Sequence, residues 1–477
     1  MRGSKLRSPI SPGPSPSSDK RRWQQGRRWG RVSEPVKSLI LEESLLETIR
    51  GARTLSFRGT VTDVIGLTIE ASGPRARLGE LCRIFPRAQN PVLAEVVGFR
   101  EGKVLLMPLD GMDGISPGAL VEATGKELQV RVGRKMLGRV IDGLGRPIDG
   151  KPMWPVEATY PAVAPPPRAM ERERIRKPVS SGIRCIDAVL TCGEGQRIGI
   201  FSGSGVGKST LMGMIARNTG ADVSVIALVG ERGREVKDFL EKDLGPKGLE
   251  RSCVVVATSD QGALVRIRAA WVATAIAEYF REQGLSVVLM MDSVTRWCMA
   301  MREVGLAIGE PPTTRGYTPS VFANLPRLLE RAGKTKKGSI TGFYTVLVEG
   351  DDMDEPVADA VRGILDGHIV LSRELAEQGH YPAIDVLASV SRLMPDIVSP
   401  EQMALAQRVR SILATYRKSE DLINIGAYVR GSNPKIDEAL KYIDRINAFL
   451  RQGIYESYSM EEAVLDLKAI FETENVD

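Results

Sequence analysis

The chain has 477 residues, 43% of them hydrophobic and 26% charged, which is enough for about three domains around a large core. No apolar run approaches the ~18 residues of a membrane span, and no apolar h-region opens the chain, so neither a spanning helix nor signal-peptide secretion is expected. Five scattered cysteines without a Cys-x-x-Cys, beside two histidines, leave no material for a zinc or haem site and fit a reducing cytoplasm.

The net charge of +6 is unevenly placed: residues 1–31 carry +8 and the remainder sums to −2. Residues 1–35 combine Ser-Pro repeats with Lys20-Arg21-Arg22 and Arg27-Arg28, cannot bury a core, and are expected to be disordered. Such a tail is a non-functional extension, or an electrostatic contact with acidic lipid, an acidic partner or nucleic acid. Residues 36–52 place Val36, Leu39, Ile40, Leu45, Leu46 and Ile49 at helical spacing. This is either a packed edge helix or a docking helix for another protein. Over 53–126 the period changes to two, in short runs that predict a small β-barrel. Phe57, Phe85 and Phe99 are its only aromatics, too few to stack bases, so no nucleic acid is expected on it.

After a proline spacer at 161–168, the chain alternates apolar runs and amphipathic helices to about residue 396. Candidate strands are 197–202, 222–229, 252–257, 286–292, 340–348 and 384–389, the pattern of a parallel sheet with helices on both faces. The first of these leads into Ser202-Gly203-Ser204-Gly205-Val206-Gly207-Lys208-Ser209-Thr210 and then a helix. Strand, glycine-rich loop and helix in that order form a phosphate cradle: the glycines let backbone N–H groups turn inward, and the helix N-terminus adds more. Lys208 is placed to reach β- and γ-phosphates, and Ser209 to ligate Mg²⁺. Ser202 stands where the pattern has glycine.

The strand 286–292 ends in Asp292, a carboxylate suited to a Mg²⁺ shell and equally to capping the next helix. The strand 222–229 ends in Gly230-Glu231-Arg232. Spacing alone leaves Glu231 open between polarising an attacking water and a surface salt bridge with Arg232 or Arg234. Arg392, just past the strand 384–389, suits a transition-state contact in its own or a neighbouring site, and Tyr381 is a base-stacking or a core tyrosine. Residues 401–477 read as helices broken near Gly431, Pro434 and Gly453.

Gly143-Leu-Gly-Arg-Pro-Ile-Asp-Gly150, the glycine-rich loop, Gly230-Glu-Arg, the Asp292 strand and His380-Tyr-Pro-Ala-Ile-Asp385 together resemble the F-type and type III secretion ATPases, from about residue 53 onward. Glu231 stands where non-catalytic ring chains carry Gln, and Asn424 to Pro434 is similar to the secretion group, with the flagellar export ATPases the nearest. The resemblance implies an α/β fold. A RecA-like P-loop core (127–400) would carry an N-terminal β-barrel (53–126) and a C-terminal helical domain (401–477), stacked into a homohexamer that binds ATP and Mg²⁺. It implies Glu231 as the catalytic carboxylate, Arg232 and Arg296 on the phosphates, Arg392 as a finger in a neighbour's site, Tyr381 on adenine, and Phe449 closing the base pocket. Implied partners are a stator-like regulator on the helix 36–52, a coiled-coil stalk in the pore, export substrates with their chaperones, and a membrane export gate. The implied location is cytoplasmic, at the inner-membrane export apparatus. An injectisome ATPase, a rotary ATP synthase chain and a hexameric nucleic-acid translocase are the competing readings.

Overall fold

The computed structural model describes residues 56–87, 90–348, 350 and 352–472. The expectations for 1–35 and 36–52 lie outside the described residues. Six strands come first: β1 (Arg58–Ile65), β2 (Thr68–Ser72), β3 (Leu81–Phe85), β4 (Val92–Arg100), β5 (Lys103–Pro108) and β6 (Leu120–Ala123). They close into a barrel in the order β1-β2-β5-β4-β3-β6, the last pairing with the first. Alternation fills its interior with Val61, Ile69, Ile84, Val96, Leu106 and Val121, while Phe57 and Phe99 remain exposed. Glu95 of β4 receives a two-pronged bond from Arg268, with Nε at 2.7 Å, and this nearly buried pair ties the barrel to the body.

Three strands follow: β7 (Gln129–Val132), β8 (Arg139–Asp142) and β9 (Ala158–Pro161), then a two-residue ribbon of β10 (Pro178–Val179) with β11 (Cys192–Gly193). The main sheet takes β8 together with β12 (Arg197–Ser202), β13 (Val223–Val229), β14 (Ser252–Ala257), β15 (Ser286–Asp292), β16 (Gly333–Lys334), β17 (Ser339–Leu347), β18 (Gly367–Leu371) and β19 (Ile384–Ser391). Their order is β19-β18-β12-β17-β15-β13-β14-β8, with β16 beside β17. β13 shows why the central runs are unbroken apolar sequence. Val223, Val225, Ala227 and Val229 enter one core, and Ile226 and Leu228 enter the other, so both faces are buried. The first core is covered by the helices Ala263–Glu282, Val294–Ala307, Pro319–Leu329 and Pro356–Ile364. The second is shared by Lys208–Asn218 and the C-terminal helices Pro400–Asn424, Pro434–Leu450 and Met460–Glu472.

Two features depart from the sequence expectation. β8 and β18 belong to the sheet although neither stood among the candidate strands. β19 runs antiparallel to β18, not parallel, with Leu371 opposite Ile384 and Gly367 opposite Ser391. The short connection Ser372–Ala383 permits a return on the adjacent edge, whereas a parallel strand would need a full crossover.

Candidate active site

β12 is buried along nearly its whole length and delivers the chain to the loop 203–207 at the carboxyl edge of the sheet. Gly205 (φ 80°) and Gly207 (φ 87°) take left-handed backbone that a side chain would strain, and this turns the loop back over the start of the helix Lys208–Asn218. Val206 anchors the loop in the second core while Ser204 and Gly205 stay open to solvent. A Cβ on Gly207 would lie 3.4 Å from the ring of Tyr381, an ordinary contact, so the loop backbone lies against that tyrosine and the glycine is required by its φ alone. Tyr381 is 45% exposed, and its carbonyl accepts from Gln452 N at 2.9 Å. Ser209 points outward, and the Thr210 hydroxyl bonds Asp243.

Next to the loop, β13 and β15 end side by side, which brings Glu231 and Asp292 to Lys208. Lys208 Nζ lies 2.5 Å from Asp292 Oδ1 and 3.8 Å from Glu231 Oε1. Thr345 Oγ1 donates to the same Asp292 oxygen at 2.7 Å. Arg296 lies one helical turn past Asp292. Its terminal nitrogen donates to Gly230 O at 2.7 Å, and its Nε stands 3.1 Å from Glu231 Oε1 in ion-pair contact without hydrogen-bond alignment. Glu231 is 8% exposed. Burial, and then the negative charge of Asp292, push its carboxyl up to about 7 against the opposing pull of Lys208, and a hydrogen bond to Glu235 favours the protonated form. Glu235 is correspondingly held below the usual range.

The remaining candidates are placed elsewhere. Arg232 is exposed at the rim and pairs with Glu235 at 3.4 Å, so Arg296 and not Arg232 reaches the cluster. Arg392 lies at the opposite edge of the sheet. Its backbone N donates to Asp366 O, and Asp366 in turn bonds Arg197 at the start of β12. Five residues of strand separate that level from Ser202, about 17 Å at β-rise. Phe449 is buried in the second core, its ring 5.2 Å beneath the Arg184 guanidinium. Glu235, Thr345 and Gln452 were not foreseen. Thr345 had a visible sign, a hydroxyl inside the apolar run of β17 that must find a partner when buried.

A polyphosphate with a divalent cation fits this set of groups. Ser202 Oγ is buried at the mouth of the loop without a hydrogen-bond partner among the described residues. Asp292 Oδ2 is likewise unpartnered among them, while hydroxyls and an ammonium stand at a helix N-terminus.

Known proteins resemble this chain along most of its length. The ATP synthase alpha/beta family matches through its β-barrel domain at residues 61–125 and its nucleotide-binding domain at 182–391, and the T3SS EscN ATPase C-terminal domain matches 398–469. The flagellum-specific ATP synthase of Bacillus subtilis is 56% identical over 90% of this chain and 98% of its own. The type 3 secretion system ATPase of Xanthomonas euvesicatoria is 51% identical over 91% and 97%. The assembled ATPase EscN of the enteropathogenic E. coli type III secretion system superposes with a TM-score of 0.81 at 46% identity, over 86% of this chain and 99% of that one. EscN solved with its central stalk EscO gives 0.80, at the same identity and coverage. A nucleotide-binding core with its loop lysine and buried carboxylates, between a barrel and a secretion-type helical domain, makes this chain a P-loop ATPase belonging to the family of flagellum-specific ATP synthases and type III secretion ATPases.

Proposed function

We propose that this chain is the Mg²⁺-dependent ATPase of a flagellar type III export apparatus, a homohexamer with its active sites at subunit interfaces. The observation that carries the reading is the convergence of Lys208, Glu231, Asp292 and Arg296 beside the glycine-rich loop, while Arg392 stands a strand's length away at the other end of the sheet. A site whose arginine is out of reach within its own chain is completed by a neighbour's Arg392. The assembled state of EscN supports a ring, and the EscN–EscO complex supports a stalk-like partner. The 56% identity to a flagellum-specific relative favours flagellar over injectisome cargo. By the same kinship the remaining partners are export substrates with their chaperones, a membrane export gate, and a stator-like regulator on residues 36–52. The working location is the cytoplasmic side of the export apparatus. Among the described residues no helix is long and apolar enough to cross a membrane.

In this mechanism Tyr381 stacks on adenine and residues 203–208 hold the phosphates through backbone N–H groups. Lys208 leaves Asp292 for the β- and γ-oxygens, which are the stronger anion. Ser209 and Asp292 would hold Mg²⁺, which would supply charge neutralisation to the phosphates when bound. Glu231, once deprotonated, accepts from the attacking water and orients it in line. Arg296 keeps Glu231 and its turn in place. Arg232 joins the phosphates only by releasing Glu235.

The test is Mg-ATPase activity of the full chain across a range of protein concentrations, with Lys208→Ala and Glu231→Gln. Specific activity should rise with concentration. Both variants should lose about 10²–10⁴-fold in turnover, with only Glu231→Gln still binding ATP well. Near-normal turnover in either variant would remove the site assignment. Activity independent of concentration down to the monomer would remove the interface.

A further inference from the structure

We infer that Thr345 is a positioning residue for Asp292, the group that keeps one oxygen of this carboxylate aimed at the cation when Lys208 departs to the nucleotide. The inference rests on the reading of Asp292 as a metal-holding carboxylate. β17 lies between the strand that carries the loop and the strand that ends in Asp292. On one face of these three strands Ile198 and Ile200, Phe343, and Met290 fill the second core. Side chains two residues further along the same face are Ser202, Thr345 and Asp292, so the apolar face turns polar where the strands reach the loop.

Thr345 is fully buried. Its single hydroxyl proton has two acceptors within range, Asp292 Oδ1 at 2.7 Å and Met291 O at 3.3 Å, and the shorter contact is to the charged group. Lys208 Nζ sits on the same oxygen at 2.5 Å. Two donors on Oδ1 fix the carboxylate plane and leave Oδ2 without a partner among the described residues. A carboxylate is otherwise free to rotate about its broad terminal torsion. When the ammonium moves to the phosphates, Thr345 is the donor that remains on Oδ1. Its strand is anchored close by: Leu347 N donates to Thr295 Oγ1 at 2.9 Å, strapping the end of β17 to the helix that follows Asp292.

A hydroxyl that merely fills space makes a different prediction from one that aims a metal ligand. The probe is ATP binding to the full chain by calorimetry, titrated with and without Mg²⁺, which needs no turnover. Thr345→Val keeps the volume and removes the donor. It should bind metal-free ATP within about twofold of wild type but need about tenfold more Mg²⁺ for half-maximal enhancement of binding, the loss expected for one hydrogen bond to a charged group. Thr345→Ser should restore the wild-type requirement. If Thr345→Val fails to bind metal-free ATP, Thr345→Ala carries the same expectation. Wild-type Mg²⁺ dependence in the variants that lack the hydroxyl, with Asp292→Asn losing it, would overturn the role of Thr345 and leave Asp292 intact. Wild-type Mg²⁺ dependence in Asp292→Asn would overturn the reading of Asp292 itself, and this inference with it.

Discussion

Glu231 is the residue whose surroundings most constrain the chemistry. Its carboxyl is buried beside Asp292, and burial, then the Asp292 charge, push it up to about 7 against the opposing pull of Lys208 and Arg296. The group therefore holds its proton below that pH and cannot accept from water. We predict that kcat/KM rises with pH through about 7, measured as a pH–rate profile. The Glu235→Ala variant should move this limb to lower pH, because the bond to Glu235 favours the protonated form. The effect on stability has the opposite sign. A carboxyl raised in the folded state binds its proton more tightly there than in the unfolded chain. Its contribution is complete below the ordinary glutamate range and is lost as pH rises through about 7, so urea midpoints should fall over that window in wild type and not in Glu231→Gln. On the proposed role of Glu231, the site gives up some stability where it becomes competent.

At the scale of elements, the helix Lys208–Asn218 must be held firmly, because its first turn carries the ammonium. Gly213, in its middle, faces Asp243. A Cβ there would stand 2.6 Å from the Asp243 Cβ and 2.7 Å from its carbonyl oxygen. Alanine gains about 0.5–1 kcal/mol over glycine as a helix former, but forcing an atom into a contact this tight costs about 1–3 kcal/mol. The clash wins. Gly213→Ala should lower stability by about 1–2 kcal/mol in denaturant melts and raise KM for ATP, since relief comes by shifting the helix away from its neighbour. The other end of this helix is also secured: Arg217 donates to Ile454 O at 2.6 Å, and Asn218 contacts Glu456 O. Arg184 caps the carboxyl end of Pro434–Leu450 through Phe449 O and Arg451 O. With Gln452 bonded to Tyr381, the helical domain is joined to the nucleotide side of the sheet at several points.

At the scale of the whole molecule, the reversal of β19 matters most. It carries Arg392 to the sheet edge opposite the loop, where its side chain is exposed and its guanidinium makes, among the described residues, only a long contact with Arg362 O. An arginine acting across an interface makes two defects complementable. Lys208→Ala keeps its Arg392, and Arg392→Ala keeps its loop. Each alone should be inactive, Arg392→Ala by about 10³–10⁵-fold while still binding ATP. Mixed in equal amounts before assembly they should recover turnover, because about a quarter of the interfaces in a random closed ring then hold both intact parts. A mixture as inactive as its components would place the arginine's action within its own chain.

Much of this protein is legible in its residues alone because the signals are local. A glycine-rich loop between an apolar run and a helix needs nothing beyond its own nine residues to declare a phosphate cradle, and the two-residue and helical periods separate barrel, sheet and terminal helices. Strand direction is not local. Periodicity is the same for a strand read either way, so β19 looked like its parallel neighbours, and only pairing with β18 decided where Arg392 would end. The short strands β8 and β18 were missed for a related reason: four or five residues carry too little pattern, and their identity comes from the strand beside them. Arg232 and Arg296 are chemically alike in sequence. The rise of the helix after Asp292 turns one inward, and the exposed start of the helix after Glu231 leaves the other outside. Glu231 itself was undecided by spacing. What turned a surface-compatible glutamate into a buried carboxyl with a raised proton affinity is the meeting of β13 and β15 beside the loop, a contact between positions 208, 231 and 292 that only the folded sheet can make.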